Sequence, residues 1–380
     1  MAFISLGRID SSLISIFLGC VFSFLSRLVM KYKNTILFKQ KIFPNLLASV
    51  VKLFTIIPLL IFIFRSKNVN NNTNQNFPSN KSLELIYSEN NEDYDIKGKY
   101  RYIIISATIV FIQGIILLYA IGVKSNSWIW DIVITSILYY LIFKIKLYKH
   151  HYLCMIFIIL TGFIIDISSN NLQKDVSNHL LFLFLRFIRE ILYSLVNVIN
   201  KYSMEKKYVS VYELSLYTGI IDSILFGLLQ IIDYYCNLKI DNLDEYFSKF
   251  SATEIFVILG LLVTQLGLYL CTLITNKNFT PCHVFTIVVF GQLANYMDFS
   301  AVSIILIICY IFIFFISLIF NEIIEINVWG LSDNTKRNIT KRAESENQTI
   351  EKNNTMSSIE ELNRDTLIEL EKQDSFRDSL

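Results

Sequence analysis

Charge is scarce in this chain. Asp, Glu, Lys and Arg make up only 17% of its 380 residues, and 53% are hydrophobic. A soluble domain carries roughly 25% charged residues, so an ordinary soluble fold is excluded and a polytopic membrane protein is implied. The apolar runs are continuous and lack the alternation of an outer-membrane barrel, which leaves helices as the expected spanning element. A net charge of +2 carries no signal for nucleic acid, and no nucleic-acid partner is expected. The six cysteines (Cys20, Cys154, Cys236, Cys271, Cys282 and Cys309) show no metal-ligand spacing, and most sit in apolar runs as small core residues. Cys282-His283 is too sparse for a metal, and His150-His151 reads as part of a basic interfacial connection, so no metal or cofactor is expected. No small-residue cleavage motif follows the first apolar run, which is therefore expected to stay as a helix. There is no Asp-rich motif and no nucleophile–base set at an interface. An enzyme is not expected, and no residue is assigned a catalytic role.

What is there is a series of ten apolar runs, at about 12–30, 43–64, 102–123, 128–143, 152–167, 179–202, 211–235, 253–275, 281–297 and 301–320. Pro44 suits a first helical turn and Pro58 is placed to kink the second helix. Residues 65–101 read as a polar loop, and the chain from 323 to 380 as a disordered tail. Trp128 and Trp130 look like interfacial anchors, and Arg27 is placed to snorkel from the end of the first helix. Asp131 suits the positive end of the fourth. Ten crossings put both termini on one side. About 18 Lys and Arg fall inside against about 8 outside when that side is cytoplasmic, so both termini are expected in the cytoplasm.

The sixth run is unlike the others. Arg186, Arg189, Glu190, Tyr193, Asn197, Asn200 and Lys201 fall within an arc of roughly 120° on a helix otherwise made of Leu, Ile, Phe and Val. A charge at the bilayer centre costs roughly 2.5–3.5 kcal/mol on insertion scales, so this stripe is expected to face a protein interior or a watery path. A self-neutralising Arg186–Glu190 pair between packed helices is the plainer alternative.

The two halves echo each other. Phe111-Ile-Gln113-Gly-Ile-Ile-Leu-Leu-Tyr119 matches Val263-Thr-Gln265-Leu-Gly-Leu-Tyr269, and Lys31-Tyr32 matches Lys201-Tyr202. The offset is about 170 residues early and about 152 later, the longer loop of the first half making the difference. The expected architecture is all-α, with ten transmembrane helices as two five-helix repeats, 1–168 and 169–322. An odd number of helices per repeat inserts the halves with opposite orientation. The same offset sets Lys52 opposite Asp222, a pair suited to gating or coupling, with Lys201 added to that group.

The five-plus-five layout, the short third-to-fourth and eighth-to-ninth links, and the passage from Asn200-Lys-Tyr-Ser-Met-Glu-Lys-Lys-Tyr through Tyr212-Glu-Leu-Ser to Gly219 resemble the drug/metabolite transporter superfamily. Within it, they are similar to the nucleotide-sugar transporter-like carriers of eukaryotic endomembranes (the solute carrier family 35-like group). The resemblance covers about residues 10–322. It implies alternating access around a central cavity and a place in the Golgi, the ER or another endomembrane. On that reading Arg186 and Arg189 offer guanidinium forks to a phosphate or carboxylate, and Glu190 holds one fork or carries a proton. Tyr193, Asn197, Gln113 and Gln265 supply neutral contacts. The expected partners are a small-molecule solute, anionic and of the nucleotide-sugar class, and membrane lipid; a homodimer is left open. A carrier of another metabolite or of an organic cation, and a non-transporting scaffold or sensor, stand as alternatives.

Overall fold

The computed structural model describes residues 4–6, 13–31, 42–61, 64, 96–120, 130–144, 147–170, 179–236, 238, 240–241, 248, 251–297 and 301–326. Among them are ten α-helices and one pair of three-residue strands. The helices are α1 (Leu13–Lys31), α2 (Phe43–Lys52, continuing through a 3-10 turn at Leu53–Thr55 to Ile61) and α3 (Ile96–Ala120). Next come α4 (Asp131–Phe143), α5 (Lys149–Asn170), α6 (His179–Lys206) and α7 (Val211–Cys236). The last three are α8 (Ala252–Asn278), α9 (Pro281–Gln292, tightening to 3-10 over Leu293–Tyr296) and α10 (Ala301–Phe320).

Five of them, α1, α2, α3, α7 and α8, are long and apolar enough to cross a membrane, and α4, α5 and α10 carry shorter apolar stretches. Large apolar side chains face outward in rows: Ile220, Ile224, Leu228 and Ile231 on α7, and Ile304, Ile308, Ile311 and Phe315 on α10. Steps of three and four residues make each row one helix face. Lys52, Asn197, Asn200, Lys201 and Asp222 are instead buried among the helices. Apolar outside and ionisable inside is the polarity of an integral membrane protein.

Several boundaries differ from the expectation. Helix α3 begins within the stretch read as a loop, and one charge of its first turns is paired there: Lys99 Nζ lies 2.7 Å from Glu213 Oε1 at the start of α7. Helix α5 begins at Lys149, which makes His150 and His151 helical rather than part of a connection. The ring of Pro58 crowds the carbonyl four residues back and lacks an N–H, and the 3-10 turn over Leu53–Thr55 sits where that conflict falls. Trp130 packs edge-on against Phe163 of α5, while Trp128, most of the first polar loop and residues 327–380 lie outside the described residues. Strand β1 (Ile4–Leu6) pairs antiparallel with β2 (Ile324–Ile326), a minor addition to the expected all-helical fold that takes in the first described residues of the segment read as tail. The pairing brings the start of α1 and the finish of α10 to one end of the bundle.

The packing has an internal regularity. Helix α1 lies on α8 and α9, and α6 lies on α3 and α4; α2 meets α7, α5 meets α10, and α4 meets α9. Advancing every helix by five, and continuing from α10 to α1, carries the α1–α8 and α1–α9 contacts onto α6–α3 and α6–α4, and the α3–α7 contact onto α8–α2. The matched crossings are antiparallel: Ser15 hydrogen-bonds Thr275 and Gln265 hydrogen-bonds Ser26 between α1 and α8. Ser106 donates to Asn200 and Tyr102 packs on Tyr202 between α3 and α6. Asp241, beyond α7, caps α2 from a distance. Its carboxylate accepts the N–H of Phe43 at 2.8 Å and that of Ile42 at 3.1 Å, amides that a helix start leaves without intrahelical partners. Asp233 holds the capping loop by accepting the N–H of Ile240 and Asp241 at 3.0 and 2.9 Å. Helix α2 therefore starts at the level where α7 ends.

Candidate functional site

Helix α6 is 28 residues long and is flanked by α3, α4, α8 and α9. Its polar stripe divides into two parts with different surroundings. Toward the N-terminal half, Arg189 Nη1 lies 3.3 Å from Glu190 Oε1; the arginine side chain is 37% accessible and the glutamate is buried. Arg186 is half-buried and within electrostatic reach of both. Tyr193 lies against the Asn197 side chain one turn along, and also faces Asp131, Glu190 and Arg189. Asp131, buried at the start of α4, accepts Ser194 Oγ at 2.5 Å and Thr135 Oγ1 at 3.0 Å. It lies in the first turn of α4, as expected, and adds a second carboxyl beside Glu190.

A third guanidinium completes the group. Arg27 of α1 points inward, with Arg189, Tyr193, Tyr296 and Tyr310 as its electrostatic neighbours. This corrects the expectation that it snorkels to the interface. Gly291 on α9 borders it: a methyl there would strike Ser23 and stand 3.2 Å from Arg27 Nε, so the absent side chain lets α1 and α9 approach beside Arg27. Among the described residues no carboxylate is within ion-pair distance of Arg27. Three guanidinium groups thus share a region with two carboxyls and three phenols. The cations come from α1 and α6, which are counterparts in the packing scheme.

The other half of the stripe is closed. Asn197 carbonyl accepts Asn276 Nδ2 at 2.7 Å, and Asn200 accepts Ser106. Lys201 is buried and donates to the carbonyls of Lys277 and Phe279 at 2.8 and 2.6 Å, with Glu205 Oε1 2.7 Å away. Those carbonyls belong to the end of α8, which lacks intrahelical donors. Lys201 therefore sits as a fastening between helix ends, away from Lys52 and Asp222, with which it was grouped from sequence.

Lys52 and Asp222 do meet. Nζ lies 2.7 Å from Oδ2, with the ammonium 4.7 Å over the ring of Tyr269 on α8. Asp222 is fully buried, and its second oxygen, Oδ1, has no hydrogen-bond partner. Tyr269 is held by Thr218 at 3.1 Å. Gly219, one turn before Asp222, lets α2 approach: a methyl there would stand 2.7 Å from Lys52 Cβ.

Gln265 donates to Ser26 at 2.8 Å, which joins α8 to α1 beside Arg27. Gln113 has a buried Nε2 with no hydrogen-bond partner, and its neighbours Phe111 and Gly114 pack on Phe226 of α7. Arg186, Arg189, Glu190 and Tyr193 are thus gathered, Asn197 borders the closed half, and Gln113 makes no described contact with the arginines. Sequence reasoning missed Arg27, Asp131, Ser194 and Tyr269 as members of these groups. The one cluster of metal-ligating side chains among the described residues stands apart, where α5 begins and α10 ends. No protein-family model matches this chain, and no curated protein matches it.

Proposed function

We propose that this protein is a secondary transporter similar to the nucleotide-sugar transporter-like group of the drug/metabolite transporter superfamily, moving a small anionic solute across an endomembrane. All ten helices cross the bilayer on this reading, as two five-helix repeats of opposite orientation. Support for the inversion comes from the α1–α8 and α1–α9 contacts, which recur as α6–α3 and α6–α4. The strand pair that joins the segment before α1 to the segment after α10 and the cap that levels α2 with α7 fit it as well.

The observation that carries the solute class is the grouping of Arg27, Arg186 and Arg189 on the two counterpart helices α1 and α6. Three guanidinium groups against the two carboxyls of Asp131 and Glu190 leave the region net positive, and the planar fork suits phosphate or carboxylate. Tyr193, Tyr296 and Tyr310 offer faces and hydroxyls to a ring or sugar. The accessible head of Arg189 and the closed half around Lys201 fit a conformer open at the arginine end. With both termini cytoplasmic, that is the non-cytoplasmic side. Alternating access then requires the Lys201 fastening to release while the arginine end closes.

Asp131 and Glu190 favour one rival, a carrier of organic cations. Purified protein in proteoliposomes, offered nucleotide sugars, nucleotides, sugar phosphates and organic cations, separates the two. Uptake of a phosphorylated solute, lost in Arg189→Ala with membrane insertion intact, supports the proposal. Uptake that Arg189→Ala leaves unchanged removes the anion site.

A further inference from the structure

His150 and His151 occupy the first turn of α5, and Glu322 follows the end of α10. One ligand atom from each lies within 4.8 Å of the other two. The imidazole rings are 4.0 Å apart between centroids and tilted by 35°. His150 is 4% exposed, and neither ring nitrogen makes a hydrogen bond. A buried imidazole left this way costs about 1–3 kcal/mol per unsatisfied group, so the arrangement calls for a partner. Its Nε2 lies 3.3 Å from Glu322 Oε1 without the alignment of a hydrogen bond. A spacing of about 3.3 Å is the edge of a tetrahedron whose ligands stand about 2.0–2.1 Å from a central ion.

The backbone holds Glu322 in that place. Its φ is 57°, in the left-handed region, and the turn is closed by Glu322 N–H to Ile319 carbonyl and Ile323 N–H to Leu318 carbonyl. Such a helix-ending turn favours glycine or asparagine at this position. Asn321 anchors the turn to α9 by donating to Cys282 carbonyl and Thr286 Oγ1. His151 is set by the edge of Phe320 and by the Tyr148 N–H on Nδ1 at 3.2 Å, a long contact that ligation through Nδ1 would replace.

We propose that His150, His151 and Glu322 bind a divalent transition-metal ion of the zinc class, fastening the start of α5 to the end of α10. Two imidazoles and one carboxylate select a borderline ion such as Zn2+ over Mg2+ or Ca2+, which prefer all-oxygen shells. Three protein ligands leave a fourth position to water, which suits a reversible site more than a permanent structural one. Because α5 and α10 belong to different halves, the ion would join the halves at one end of the bundle.

The test uses the full chain in detergent, purified through a tag without histidine, stripped with chelator and dialysed against Zn2+. Retention of about one ion per chain with a raised melting temperature, and tetrahedral Co2+ absorption in a parallel sample, is the expected result. Glu322→Gln, at a partly accessible side chain, should keep the fold and weaken binding by more than about tenfold. His151→Gln should do the same even if His150→Ala fails to fold. Folded protein that retains no stoichiometric Zn2+ would overturn the proposal, as would retention unchanged in Glu322→Gln. So would loss of binding in Cys236→Ser, which would point to the exposed thiol.

Discussion

Replacing Asp222 by leucine leaves the ammonium of Lys52 buried beside a hydrocarbon. In the native protein Nζ and Oδ2 are 2.7 Å apart and both residues are buried. At an effective dielectric of about 20, unit charges about 3 Å apart attract by about 5–6 kcal/mol. Taking each ion out of water costs several kcal/mol, so attraction and desolvation nearly offset, and the pair as a whole adds little over a well-packed apolar pair. Removing one member is different, because the remaining charge keeps its desolvation and loses its attraction. Asp222→Leu is expected to destabilise by about 3–5 kcal/mol. The ring of Tyr269 at 4.7 Å compensates only in part, by about 0.5–2 kcal/mol. The double variant Lys52→Met/Asp222→Leu, close in volume, should return to within about 1–2 kcal/mol of the parent. The assay is a double-mutant cycle by equilibrium unfolding in mixed micelles, with uptake measured on the same four proteins. The reasoning is refuted if Asp222→Leu is as stable as the parent, or if the double variant is no better than the single one. Full uptake by the recovered double variant would mean that the pair is a tie and takes no part in gating.

Gly219→Ala should cost about 1–3 kcal/mol in the same unfolding assay, since its methyl would stand 2.7 Å from Lys52 Cβ. Gly227→Ala, with nothing within 4 Å, is the neutral control. Asp241→Ala should lose about 0.5–2 kcal/mol by uncapping α2, with protection from hydrogen exchange falling first at Ile42 and Phe43. Arg27→Ala should raise the concentration needed for half-maximal uptake by roughly 10–100-fold, the worth of one charged hydrogen bond. Arg27→Lys should restore less than half of that loss in free-energy terms if the fork geometry matters, and unchanged uptake in Arg27→Ala would remove it from the site.

The helices and the polar stripe of α6 are legible because apolar length and a 3.6-residue period are properties of single segments. The approach of Lys52 to Asp222 is legible for a different reason: the repeat offset carries three-dimensional information that neither helix holds alone. Arg27 shows the limit. A basic residue near a helix end can reach the interface at little cost, and the groups that surround Arg27, Arg189 and Tyr193 on α6, Tyr296 after α9 and Tyr310 on α10, lie far along the chain. The role of Lys201 is hidden for a related cause. It binds main-chain carbonyls, which every helix end presents whatever its sequence. The β1–β2 pair is too short for alternation to register, and Glu213, which pairs with Lys99 at the start of α3, comes from a segment far along the chain. The gathering of His150 and His151 with Glu322 is likewise invisible until α5 and α10 are laid side by side.

The carboxylate that caps α2 is encoded 198 residues after Phe43. A ribosome delivers α2 to the membrane long before Asp241 leaves the exit tunnel. Throughout that interval the nascent first half carries an unfinished helix end that only water, lipid headgroups or an insertion factor can satisfy. Half-molecules made separately should therefore depend on each other for maturation, and the earlier half should be the one that waits.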